Sequence, residues 1–94
     1  MYSDRDKDVP LIYRNYFKCL VCCKFRNVKE FEFHNIERLG GVLSHEYRGY
    51  KGFILSNIRY SKNTKIKSMK YGIELCKSKE ELVRKIKTCA KGKE

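Results

Sequence analysis

Between Tyr47 and Ile73 the chain carries Arg48, Lys51, Arg59, Lys62, Lys65, Lys67 and Lys70, and not one Asp or Glu. Cations in such a run are suited to neutralising phosphates, and each phosphate so met releases condensed counterions. Seven contacts of that kind on duplex DNA would give the affinity a log–log salt slope of about −6. Tyr47, Tyr50, Phe53, Tyr60 and Tyr71 are interleaved with the cations, and an exposed ring stacks on a base for roughly 1–3 kcal/mol. Tyr47 and Tyr50 flank glycine turns, which favours exposure, whereas Phe53 and Tyr71 belong in a core, Tyr71 because it alternates with Met69 and Ile73. The residues expected to meet nucleic acid are therefore Arg48, Lys51, Arg59, Lys62, Lys65, Lys67 and Lys70 on phosphates, with Tyr50 and Tyr60 stacking. The same charge would also draw an acidic protein, and lysine-rich segments are commonly no more than solvated faces.

A second constellation is Cys19-Leu20-Val21-Cys22-Cys23, which contains a C-x-x-C, with His34 and His45 downstream. Two thiolates and two imidazoles are a tetrahedral zinc set, so Cys19, Cys22, His34 and His45 form a weak zinc candidate. No second cysteine pair accompanies it, and the separation of the histidines exceeds that of the usual finger. In a strand, moreover, Cys19 and Cys23 face one way and Cys22 the other. Core thiols are the preferred reading, since cysteine is among the most buried residue types. Five cysteines cannot all pair within one chain, which suits a reducing compartment.

A nucleophilic cysteine needs an adjacent base, and Cys22 and His34 could supply that pair only if the fold made them neighbours. The sequence holds no glycine-rich phosphate loop and no serine elbow, and the adjacent carboxylates Glu80-Glu81 fit a helix cap. Neither an enzymatic activity nor a cofactor is expected.

The elements that must position these groups read as follows. Residues 1–10, polar and ending in Val9-Pro10, are expected to form a flexible arm. Tyr16 to Phe25 alternates with Phe17, Cys19, Val21, Cys23 and Phe25 on one face, a half-buried strand on whose other face Leu20 requires some cover. A turn at Arg26-Asn27 and a second strand from Val28 to Ile36 would complete a hairpin. Helix competes over Phe33 to Leu39, with Gly40-Gly41 as a left-handed stop. Val42 to Tyr47 is expected to be extended, Arg48 to Gly52 a turn, Phe53 to Tyr60 a strand, Ser61 to Lys65 a loop and Met69 to Leu75 a last strand. Ser78-Lys79-Glu80-Glu81 matches a capping box, after which Leu82, Ile86 and Cys89 make the apolar stripe of a C-terminal helix.

These elements predict an α+β fold, a small antiparallel β-sheet of four to five strands with one C-terminal α-helix packed on one face. Strands followed by a helix are also the arrangement of small domains that lay a β-sheet in the DNA major groove. On that analogy Arg48, Lys51 and Arg59 would reach base edges.

At 94 residues and 11.2 kDa the chain has room for one domain, expected over residues 11–94 behind the arm. Lys and Arg number 22 against 11 Asp and Glu, a formal net charge of +11 that favours acidic partners. The expected function is a small basic nucleic-acid-binding protein, for DNA or RNA. The alternative is an interaction protein, such as a small viral or mobile-element factor, that docks on and modulates an acidic host protein or enzyme. An unpaired sheet edge permits a homodimer. With no long apolar run and an opening of alternating charges, Met1 to Asp8, neither a membrane partner nor export is expected, and the location is read as intracellular.

Overall fold

A tight turn at Arg14 and Asn15, whose φ angles of 55° and 68° have the positive signs of a mirror-image hairpin turn, folds the chain onto itself. It joins β1 (Lys7–Tyr13) to β2 (Phe17–Cys23) as an antiparallel pair. The computed structural model describes residues 7–23, 34–57 and 59–92. Lys7 to Pro10, expected in a flexible arm, therefore lie in a strand. Pro10 has no N–H to donate and stands opposite Leu20 on the sheet edge, the position a strand proline tolerates. Met1 to Asp6, the expected turn at Arg26-Asn27 and most of the strand expected from Val28 fall outside the described residues.

After β2 come α1 (His34–His45), β3 (Lys51–Leu55), α2 (Lys62–Tyr71), β4 (Glu74–Cys76) and α3 (Lys79–Lys91). The sheet order is β1-β2-β3-β4, with β2 and β3 parallel and β3 and β4 parallel. The α+β class, the four strands and the C-terminal helix stand as expected, but the sheet is mixed and carries two further helices. Helical crossovers explain the difference, since parallel neighbours require them and a hairpin cannot supply them.

Both faces of the sheet are covered at β2 and β3, while Val9, Leu11 and Ile12 of β1 stay exposed. On one face, Ile36 and Leu39 of α1 pack with Leu20, Cys22, Ile54, Tyr60 and Ile73. On the other, Ile86 and Ala90 of α3 pack with Phe17, Cys19, Val21, Phe53, Leu55 and Cys76. The cover that Leu20 demands is thus α1, and β3 is buried from Gly52 to Leu55, as parallel strands between helical layers are. Each large apolar side chain so enclosed contributes about 1.5–3 kcal/mol. The residues suspected of reaching base edges do not lie on an open sheet face, since Arg48 and Arg59 stand outside the strands β1 to β4 and Lys51 begins the covered strand β3.

Three segments expected to be extended or coiled are helical instead. Val42 to His45 continue α1, and Gly40-Gly41 lie inside it rather than ending it. Gly40 is there for close approach, because a Cβ on it would lie 2.7 Å from the Tyr71 ring of α2. Ser61 to Lys65, expected as a loop, open α2. Ser61 is its N-cap, and its hydroxyl accepts from the Thr64 amide at 3.2 Å. Met69 to Tyr71, expected in a strand, close α2. Gly72, at φ 68°, ends it with Gly72 N–H donating to the Met69 carbonyl and Ile73 N–H to that of Ser68.

The helix start at Ser78 agrees with the sequence. Ser78 Oγ accepts from the Glu81 amide at 3.1 Å, and Glu81 reaches one residue further than the standard box to take the Lys77 amide at 2.7 Å. Among the described residues no helix is long and apolar enough to cross a membrane.

Candidate functional site

The basic run from Tyr47 to Lys70 does not form one patch. Arg48, Tyr50 and Lys51 precede or begin β3, whereas Arg59, Lys62 and Lys65 follow it, and a five-residue strand separates the two groups by about 16 Å. α2 runs back so that Lys70 lies toward the Lys51 end, where Gly72 adjoins Lys51 Nζ. At the first end Tyr50 is half-buried, edge-on to Tyr47 with ring centroids 5.1 Å apart, and Lys18 Nζ lies 5.8 Å from its centroid. Arg48 is exposed and its Nε donates to the Ser44 carbonyl, while Lys51 Nζ is 3.8 Å from a Glu74 carboxylate oxygen. Lys51 is thereby matched by an acid, which weakens this end as an anion site.

At the second end a cleft of about 560 Å³ is lined by Arg59, Tyr60, Ser61, Lys62, Lys65 and Lys77. It sits where β3 and β4 end and α2 begins, outside the carboxyl ends of parallel strands, where ligands of α/β sheets collect. No carboxylate lines it, and no ion pair among the described residues engages its four cations. Lys62 and Lys65 stand in the opening turns of α2, whose first turn contains no acid. That placement is unfavourable in the bare protein, because the positive end of a helix dipole repels cations and attracts anions.

The carboxylates nearby are already engaged. Glu81 takes the Lys77 amide and faces Lys85 Nζ at 3.5 Å and Arg84 at 3.9 Å. The amide bond, aided by those cations against some loss of hydration, holds its carboxyl below the usual glutamate range. Glu74 lies between Lys51 and Lys85. Lys85 also donates to the Leu75 carbonyl at 2.8 Å, so a lysine caps the exposed edge of β4.

Of the other expected residues, Tyr60 lines the cleft but is buried, and its hydroxyl donates to the Cys76 carbonyl at 2.8 Å. Burial raises its pKa well above the usual tyrosine value. It is a wall of the cleft and not an open stacking platform. Lys67 pairs with Glu37 of α1 at 3.0 Å, and Lys70 is exposed at the end of α2 with its Nζ 5.8 Å from the Tyr71 ring centroid. Lys77 is the residue that reading the chain missed. It lies in the loop after β4, outside the basic run in sequence, and only the parallel pairing of β3 and β4 brings it to Arg59.

The zinc candidate is not assembled. Cys19 faces the α3 layer and Cys22 the α1 layer, on opposite sides of β2. His34 and His45 stand at the two ends of α1, about 16 Å apart along its axis. Among the described residues no three His, Cys, Asp or Glu are grouped to hold a metal ion. Burial, with the nearby Cys89 adding to it, pushes the Cys19 thiol up to about 11, and burial likewise pushes Cys76 to about 11. Both are protonated core thiols at neutral pH. Cys22 Sγ lies 3.5 Å from Arg38 Nη2, whose guanidinium also holds Asp8 through two bonds of 3.0 and 3.2 Å. Arg38 thus fastens the edge strand β1 to α1. No protein-family description matches the chain, and no curated protein or solved structure matches it either.

Proposed function

We propose that this chain binds nucleic acid through its phosphates, at the cleft between the β3 and β4 ends and the start of α2. The observation that carries the reading is the gathering of Arg59, Lys62, Lys65 and Lys77 around one hollow with no carboxylate in its lining. Cations placed against a helix's positive end raise the energy of the unliganded protein, and a phosphate relieves that repulsion while meeting the helix dipole favourably. Arg59 supplies a planar fork matched to two phosphate oxygens, and the lysines supply point charges that follow a polymer backbone. Four phosphates so neutralised give a salt slope of about −3.6 on duplex DNA, shallower than the whole basic run would give.

The test is fluorescence anisotropy of labelled duplex DNA, single-stranded DNA and RNA over a range of salt concentrations. Arg59→Glu with Lys65→Glu is set against a control of equal charge change on the exposed side of α3, Lys79→Glu with Lys87→Glu. The site pair is expected to lower affinity at least tenfold and to flatten the slope by about 2, while the control changes each far less. Equal loss in both pairs means the charge acts generically, and attention then passes to an acidic protein partner.

A further inference from the structure

We propose that the outward face of α2 enters the major groove of duplex DNA, so that the polymer bound is a B-form duplex and its base edges are read. This rests on the phosphate-binding reading above and adds the class of polymer and the element that recognises it.

α2 turns no apolar stripe toward the core, and the ring of its last residue, Tyr71, packs against Gly40 of α1. The side chains it buries are Thr64 and Ser68, while its apolar residues Ile66 and Met69 are 57% and 79% exposed. Single exposed apolar residues are ordinary. Here the two are one turn apart on a protruding face, and the polar residues around them are lysines and one asparagine. At about 100° per residue, the arc runs from Lys65 through Met69, Lys62 and Ile66 to Lys70 and Asn63, spanning about 160°. Met69 and Ile66 flank Lys62 near its middle, Lys65 and Lys70 stand toward its two sides, and there is no acid anywhere on the helix.

That cross-section matches a groove. A helix with its side chains is about 10–12 Å across, and the major groove is about 12 Å wide. With α2 seated in it, Lys65 on one side and Lys70 on the other reach the phosphate walls, while Lys62, first in the helix and with a side chain tilted back toward the N-terminus, joins Arg59 on the phosphates at the helix start. The middle of the arc then lies over the base edges. There Ile66 and Met69 have the chemistry to meet thymine methyl groups. A-form duplex RNA keeps its major groove too deep and narrow for a helix, and a single strand has no groove. Both are therefore disfavoured by shape, at equal charge.

The experiment is selection from a random-sequence duplex DNA pool by the wild-type protein, followed by affinity measurements on the enriched duplex. A short motif containing A·T pairs is expected to enrich. The enriched duplex should bind at least tenfold tighter than duplex RNA or single strands at the same salt. Replacing its thymines by uracil, which removes only the methyl groups, should weaken binding severalfold. Ile66→Ala with Met69→Ala should lose at least fivefold with an unchanged salt slope, and since both residues are exposed the thermal midpoint should hold. If no motif enriches, or if uracil and the alanine pair change nothing, the groove reading is overturned. Should Arg59→Glu with Lys65→Glu still weaken binding in that case, the phosphate site stands without it. No binding to any polymer at low salt overturns both readings.

Discussion

Gly40 and Gly41 are adjacent in α1 and opposite in consequence. A Cβ at Gly40 would press into the Tyr71 ring at 2.7 Å, whereas at Gly41 it would meet nothing within 4 Å. Glycine inside a helix gives up roughly 0.5–1 kcal/mol relative to alanine. Gly41→Ala is therefore expected to stabilise the fold by about that amount, and Gly40→Ala to destabilise it by about 1–3 kcal/mol through overpacking against α2. Urea denaturation of the two single variants checks both signs. The pair in the sequence suggested a helix stop, because glycine content marks conformational freedom and equally marks close approach, and only the neighbour decides between them. Tyr60 carries the same lesson. Its residue type suits stacking, but burial and the bond to the Cys76 carbonyl were set by β4, sixteen positions away in the chain.

At the scale of elements, what could be read from the chain was what is encoded locally. The α3 start is a reciprocal cap within five residues, and Ser78→Ala should cost about 0.5–2 kcal/mol. Glu81 adds a pH dependence whose sign follows from its lowered pKa. Its contribution is fully present above the ordinary glutamate value of 4.5 and is lost as pH falls through the lower folded value. Glu81→Gln is therefore expected to be destabilising at pH 7 and to lose its effect in acid, with thermal midpoints across pH 2–7 compared with wild type as the check. α2 escaped notice because it buries Thr64 and Ser68 and no apolar stripe, so it has no helical period to find. Its signals were Ser61 at the cap and Gly72 at the stop, both equally at home in a loop. In β2 the alternation was real, but Leu20 and Cys22 on the supposed outer face are buried under α1. The unbroken Phe53-Ile54-Leu55 was the mark of a central parallel strand. The candidate site was half legible for the same reason: Arg59, Lys62 and Lys65 are local, whereas Lys77 arrives through a crossover.

Across the whole molecule, the charge of +11 acts in two opposing ways. In the unliganded chain it is self-repulsion, which favours expansion and is weakened by salt, with a screening length of about 30 Å at 0.01 M falling to about 8 Å at 0.15 M. The thermal midpoint of the protein alone should therefore rise as salt is added over that range. With a nucleic-acid oligomer in excess the direction should reverse. Binding adds RT ln(1 + [L]/Kd) to the folded state, about 2.7 kcal/mol when the oligomer is at a hundred times its Kd. A tenfold rise in salt weakens a four-phosphate contact by between three and four decades, enough to erase that increment. The complexed midpoint should start high at low salt and fall until it meets the rising curve of the free protein. Scanning calorimetry across a salt series with and without oligomer reads both slopes. A pair of curves rising in parallel would show that the oligomer does not engage the folded state, and the cations at the start of α2 would then have to answer to a different anionic partner.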